Sequence, residues 1–183
     1  MTGTQPQLLN IALNPTDVVY TPDWVAEDMV TYFNPWGHIL EPCIGDGVFL
    51  KYLSGCVSWC EIEKGRDFFQ WTEPVDWAIG NPPYAVAMNW IYHTMTITDN
   101  FVYLIPCNKP FNSAAALFRM KEWGEPRHMR VYSGGAALGF PIGFAIGAIH
   151  FQRNYHGGMT MSYYDDTPIY DESGNGMTKY QNI

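Results

Sequence analysis

Apolar positions along the chain change their spacing from segment to segment, and the changes mark out alternating helices and strands. Between residues 23 and 33, Val25, Ala26, Met29, Val30 and Phe33 return one helical turn apart, which predicts an amphipathic helix. Thr21 reads as its N-cap, with Pro22 at the first helical position and acids in the first turns, and Asn34-Pro35 closes it. Shorter apolar runs predict strands at 37–40, 57–62, 75–79 and 101–105, with helices at about 48–54, 86–95 and 111–122. Residues 63–74 read as a loop, and strands at 127–132 and 142–152 are joined by the Gly-rich segment 133–139. Beyond Gly157 the chain is polar, rich in Gly and Tyr, and weakly patterned. This alternation predicts an α/β fold, a mostly parallel sheet with an antiparallel component at its C-terminal end and helices on both faces.

Composition narrows the class. With 183 residues, 47% hydrophobic and 16% aromatic, the chain reads as one globular domain with a substantial core. The longest apolar run, 138–151, is interrupted by three glycines and falls short of the roughly 20 residues a membrane helix needs. The polar start at residues 1–7 lacks a secretory pattern, so a cytoplasmic location and no membrane association are expected. Cys43, Cys56, Cys60 and Cys107 match no zinc spacing, which predicts free thiols, no metal and no disulfide framework.

The net charge is −8, but it is unevenly spread. Residues 1–99 balance to −9, 100–160 to +4 and 161–183 to −3, and Lys109, Arg119, Lys121, Arg127 and Arg130 crowd into one stretch. Such a step predicts a basic side on which a polyanion docks.

The candidate chemistry lies at predicted strand ends. Asn81-Pro82-Pro83-Tyr84 follows the apolar run Trp77-Ala78-Ile79-Gly80. The prolines fix the backbone around Asn81 and Tyr84, giving a rigid platform suited to a flat polar group held by its amine and stacked on its face. Upstream, Glu41-Pro42-Cys43-Ile44-Gly45-Asp46-Gly47 stands between a strand and the next turn, where two glycines permit a tight backbone and close approach to a ligand. Glu61 ends the following strand, a position suited to gripping ribose hydroxyls, and Asp67-Phe68 sets a carboxylate beside a ring, suited to an adenine amine and face.

In that order these motifs resemble the class I S-adenosylmethionine-dependent methyltransferases, specifically the adenine-amino (N6) DNA methyltransferases, with the motif order of their gamma class. The resemblance covers residues 20–110 well and 111–152 loosely, and rests on four ordered motifs: Thr21-Pro22, the Gly45/Gly47 loop, Glu61 with Asp67, and Asn81–Tyr84. It implies a Rossmann-like class I fold and S-adenosyl-L-methionine as cofactor. Thr21 and Pro22 would lie near the methionine moiety, and Glu41, Pro42, Gly45 and Gly47 would line its amine and carboxylate. Glu61 would hold the ribose, Ile62 would pack on the adenine ring, and Asp67 with Phe68 would receive the adenine. Asn81, bordering both ligands, and the Pro82 carbonyl would accept hydrogen bonds from the target amine. Pro83 would stiffen the platform, and Tyr84 would stack on the flipped base. Phe140 is a candidate second stacking wall, with core packing the competing role.

The resemblance leaves the substrate open. DNA adenine is the first reading. RNA bases and a glutamine side-chain amide present the same planar NH₂, and a cofactor-binding subunit without catalysis is a further alternative. The chain ends too soon for a separate target-recognition domain, so relaxed specificity, a homodimer or a partner recognition subunit are the arrangements expected. The tail after Gly158 would be a small recognition element, an arm or disorder.

Overall fold

The computed structural model describes residues 19–164 and the backbone of 169–170 and 176–177. Residues 1–18 and most of the tail after Gly158, expected to be a recognition element, an arm or disorder, lie outside that range. Helix α1 (Asp23–Phe33) leads into strand β1 (His38–Glu41), followed by β2 (Cys56–Trp59) and β3 (Trp77–Gly80). Helix α2 (Ala87–Thr94), strand β4 (Asn100–Pro106), helix α3 (Ala114–Trp123) and strands β5 (Pro126–Gly134), β6 (Ala145–Gln152) and β7 (Thr160–Tyr163) complete the main body. A two-stranded ribbon joins β8 (Ile169–Tyr170) to β9 (Gly176–Met177).

The seven-stranded sheet has the order β2-β1-β3-β4-β6-β5-β7, and only β6 runs against the rest. The mostly parallel sheet with an antiparallel C-terminal strand is the architecture the sequence predicts. Parallel strands are covered on both faces, which explains why β4 reads as a continuous apolar run rather than an alternating one. Its Phe101, Tyr103 and Ile105 enter one core layer with Trp90 and Ile91 of α2 and Ala116 and Met120 of α3. Val102 and Leu104 point the other way, to Val25, Ala26 and Met29 of α1.

Several boundaries depart from expectation. Thr21 does not cap α1: Pro22 is the cap residue, and its carbonyl accepts from the N–H groups of Val25 and Ala26 at 3.0 and 3.2 Å. Helix α3 starts later than its apolar pattern, where the Ser113 hydroxyl accepts the Ala116 N–H at 3.1 Å. The expected helix at 48–54 shrinks to a single 3-10 turn, Phe49–Lys51, bounded by Gly47 and Gly55, both at positive φ. Strand β2 stops at Trp59 because the Glu61 side chain turns back to accept the Glu63 N–H. Strand β7 escaped the pattern because it is a four-residue edge strand with no buried residue, too short for its Thr-Met-Ser-Tyr alternation to stand out.

Helix α1 is fastened to β5 by a polar clamp. The Asp28 carboxylate accepts from Arg130 Nε at 2.6 Å, Arg130 Nη2 at 2.8 Å and the Tyr132 hydroxyl at 2.7 Å. The Arg130 and Asp28 side chains are only 13% and 15% exposed, so removing one leaves the other charge poorly solvated. Asp28→Ala is expected to cost about 2–4 kcal/mol in denaturant unfolding, and the Asp28→Ala/Arg130→Met double variant is expected to recover part of that loss. An additive double variant would contradict the coupling.

Candidate functional site

In an open parallel sheet, ligands gather where neighbouring strands send their connections to opposite sides. Here β1 connects outward to β2, and the chain then crosses β1 to form β3 on its other flank. The crevice between the C-terminal ends of β1 and β3 is therefore fixed by topology, and both polar motifs leave the sheet there.

The two motifs pack closely. A Cβ added to Gly80 would come within 3.2 Å of Pro42 Cδ and 3.6 Å of Cys43 Sγ, so a glycine at the end of β3 lets the β1 loop lie against it. The loop is stitched to the end of β2 by Cys60 N–H to Glu41 O at 2.8 Å and Ile44 N–H to Cys60 O at 2.9 Å. Gly45 and Gly47 take φ of +50° and +84°, a region costly for a side chain bearing Cβ. The Glu61 carboxylate braces the same loop, accepting the Gly45 N–H at 3.0 Å and the Glu63 N–H at 3.3 Å. Glu61 thus already spends part of its acceptor capacity within the chain.

Val19, Tyr20, Thr21, Glu41, Cys43, Ile44, Gly45, Asp46, Val48, Phe49 and Asn81 line the crevice. Glu41 is 1% exposed, and its Oε2 has no hydrogen-bond partner among the described residues. Burial, reinforced by the Asp46 and Glu61 charges and opposed by Lys64, pushes its carboxyl up to about 9. At neutral pH this carboxyl is protonated, and it faces a cavity with an unused oxygen. A cationic amine is the partner that chemistry favours.

Asn81 has two distinct ends. Its Nδ2 donates to the Val19 carbonyl at 3.0 Å, which fixes the amide so that Oδ1 is left buried and without a partner among the described residues. Tyr84, half-buried, meets Phe140 edge-on with ring centroids 6.2 Å apart at 63°. Its hydroxyl is also buried without a partner among the described residues, and burial holds the phenol neutral. Phe140 is 4% exposed and packed in the core layer beneath α1, so its wall is formed by an edge rather than an open face.

Other expected residues are distributed as follows. Ile62 is 64% exposed just beyond β2. Asp67 accepts the Phe69 N–H at 3.0 Å and caps a short turn. The Phe68 ring is not open to the surface but stacks on Trp90 at 4.5 Å inside the core, while Phe69 is the exposed ring of the pair. The alternation of inward and outward rings was not legible because both neighbours are phenylalanine.

The basic stretch does not assemble at this end. Lys109 lies in the turn that follows β4, on the crevice side of the sheet. Helix α3 then runs away from it, carrying Arg119, over the Tyr92 ring at 4.2 Å, and the exposed Lys121. Arg127 begins β5 at the far end and donates to Gln152. Arg130 is consumed by Asp28. The expected single docking side is therefore split, because adjacency in sequence here spans a whole helix and a strand.

Sequence reasoning missed Val19 and Tyr20, whose backbone and ring border Asn81 and Gly45. The only signal was their position directly before Thr21-Pro22. A larger open cleft, lined by Trp36, Asp76, Thr98, Asn100 and Arg153, lies at the opposite end of the parallel strands. None of the buried unpartnered side-chain atoms belongs to its lining, so size does not identify the site. No group of three or more metal-ligating side chains is found among the described residues, and none of their helices is long and apolar enough to cross a membrane.

No protein-family model matches this sequence, and no curated protein matches it. Solved structures do. A protein assigned as the modification subunit of a type I restriction enzyme from Vibrio vulnificus YJ016 superposes with a TM-score of 0.63 at 13% identity, over 91% of this chain and 60% of that one. A protein assigned as a class I S-adenosylmethionine-dependent methyltransferase from Listeria monocytogenes gives 0.65 at 13% identity, over 90% and 70%. The 23S rRNA methyltransferase ErmE gives 0.57 at 13% identity, over 74% and 70%. The chain thus spans about three fifths of the length of the Vibrio protein. Strand order, the single reversed strand and these superpositions agree: the chain has the Rossmann-like fold of the class I methyltransferases.

Proposed function

We propose that this chain is an S-adenosylmethionine-dependent methyltransferase acting on the exocyclic N6 amine of adenine in DNA. The observation that carries the reading is Asn81: an amide clamped by Val19 so that a buried, unpartnered Oδ1 faces the crevice beside Glu41. An amine acceptor site and a cation-seeking carboxyl thereby share one cavity.

Features of the crevice support this cofactor. Glu41 Oε2 is an orphaned acceptor for the methionyl ammonium, and the Gly45/Gly47 loop leaves room for close backbone approach. Glu61 and Asp67 supply carboxylates for the ribose and adenine, with Ile62 and the Phe68 backbone beside them. When bound, S-adenosylmethionine supplies a methyl group already activated by its sulfonium. The chain's task is to raise the nucleophilicity of the amine and hold it in line. Adenine's amino lone pair is delocalised into the ring. Asn81 Oδ1 and the Pro82 carbonyl, each accepting one amine N–H, draw the nitrogen toward tetrahedral geometry and free that pair. Tyr84 stacks on the extruded base, offsetting an unstacking cost of roughly a few kcal/mol.

Glu41 makes the cofactor reading testable by protons. At about pH 6.5 the free carboxyl holds a proton, and an ammonium brought against it favours the ionised form, so binding is expected to release about one proton. Affinity should therefore rise with pH from about 5.5 to 7.5, and Glu41→Gln should abolish both the release and the slope. Calorimetry in buffers of different ionisation enthalpy measures this, and zero release from the wild type would contradict the role.

Nucleic-acid docking needs a further source of positive charge, because only Lys109 of the five expected bases follows a strand at the crevice end. A second copy or a partner recognition subunit supplies it in this reading. Lys121→Glu and Arg127→Glu are accordingly expected to leave the salt dependence of DNA binding unchanged, within about 0.3 in the log–log slope. The overall test is incubation with methyl-labelled S-adenosylmethionine and, separately, DNA, RNA and cell protein. Label in DNA supports the reading, and label confined to RNA or protein replaces it.

A further inference from the structure

We propose that the fixed charges of Asp46 and Glu61, set around the buried Glu41 carboxyl, make the crevice discriminate between cationic S-adenosylmethionine and the neutral S-adenosylhomocysteine left after transfer. The inference rests on the cofactor reading above and adds how product is shed.

Three carboxyl groups converge on this small space. Glu41 and Asp46 line the crevice, and Glu61 is bonded to the Gly45 N–H in the same loop. Glu41, 99% removed from solvent with Oε2 unpartnered among the described residues, is the independent observation that points to a ligand. Burial is the main reason its carboxyl resists ionisation, and the charges of Asp46 and Glu61 add to it. One cation opposes them: Lys64 Nζ sits 3.4 Å from the Gly45 carbonyl, and its charge works on Glu41 in the opposite direction.

The two ligands differ by one methyl group and one positive charge. With ammonium, carboxylate and sulfonium the cofactor is a net cation. The product has lost the sulfonium charge with the methyl and is neutral overall. Contacts to adenine, ribose and the amino-acid end are common to both and set affinity without selecting between them. A negative field adds a term for the cation alone. Asp46 is exposed, so its share is screened and modest, about threefold to tenfold in the affinity ratio.

Asp46 and Lys64 must then act with opposite signs. Dissociation constants for S-adenosylmethionine and S-adenosylhomocysteine, measured by calorimetry on the full chain, its Asp46→Asn variant and its Lys64→Met variant, test this. In the wild type the cation is expected to bind more tightly than the neutral product. Asp46→Asn should shrink that ratio about threefold or more by weakening the cation alone, Lys64→Met should enlarge it, and raising salt should compress it in all three. Equal ratios in the three proteins would overturn the inference, as would an Asp46→Asn variant that loses both ligands alike, the mark of a structural role. Binding of neither ligand to the wild type would overturn the cofactor reading itself, and this inference with it.

Discussion

Asn81→Ala is expected to lower the single-turnover rate of methyl transfer by at least about 10²-fold while leaving S-adenosylmethionine affinity within about threefold. Oδ1 is aimed by the Nδ2 bond to the Val19 carbonyl, so alanine deletes the acceptor that the amine needs at the moment its lone pair is freed. The cofactor's ammonium would meet Glu41 instead, which alanine at 81 does not touch. Asn81→Asp is the informative companion: it keeps an oxygen but loses the donor to Val19 and adds charge beside Glu41. It should retain less than about a tenth of wild-type rate. Rapid-quench rates and calorimetric affinities separate the two effects. A collapse of affinity in Asn81→Ala would mean that the acceptor and cofactor sites are not divided as argued.

Gly45→Val has the second large effect, and it falls on cofactor affinity rather than on rate. At φ +50° a β-branched residue is strained, and its N–H would no longer sit squarely on Glu61. Cofactor affinity is expected to fall by at least about 30-fold, with the rate at saturating cofactor changed far less. The strain comes from the backbone rather than from crowding, since an added Cβ would meet only the Tyr20 ring, at 3.7 Å. Gly45→Ala should therefore be intermediate. Unchanged affinity in titrations of Gly45→Val would remove the loop from the cofactor site.

Much of this was legible in the residues, for physical reasons that can be named. Parallel strands buried on both faces leave unbroken apolar runs such as Phe101–Ile105, and helix α1 shows its single buried stripe directly. Strand-end motifs were readable because Gly, Pro, Asn and Glu at those positions are costly unless the backbone or a ligand requires them. Three-dimensional partnerships were not. Nothing in sequence links Val19 to Asn81 or Asp28 to Arg130, pairs 62 and 102 residues apart that only the tertiary fold brings together. The basic stretch misled for the same reason: a helix and a strand turn neighbours in sequence into residues at opposite ends of the molecule.

The central claim is that Asn81 presents its free oxygen to the N6 amine of a DNA adenine. DNA incubated with the wild type or Asn81→Ala protein and S-adenosylmethionine, then digested to nucleosides and weighed by mass spectrometry, tests it most directly. N6-methyldeoxyadenosine from the wild type, and none above background from Asn81→Ala, is the expected result. Methyl label found only on RNA or on a protein amide, or an equal yield from both proteins, would contradict it.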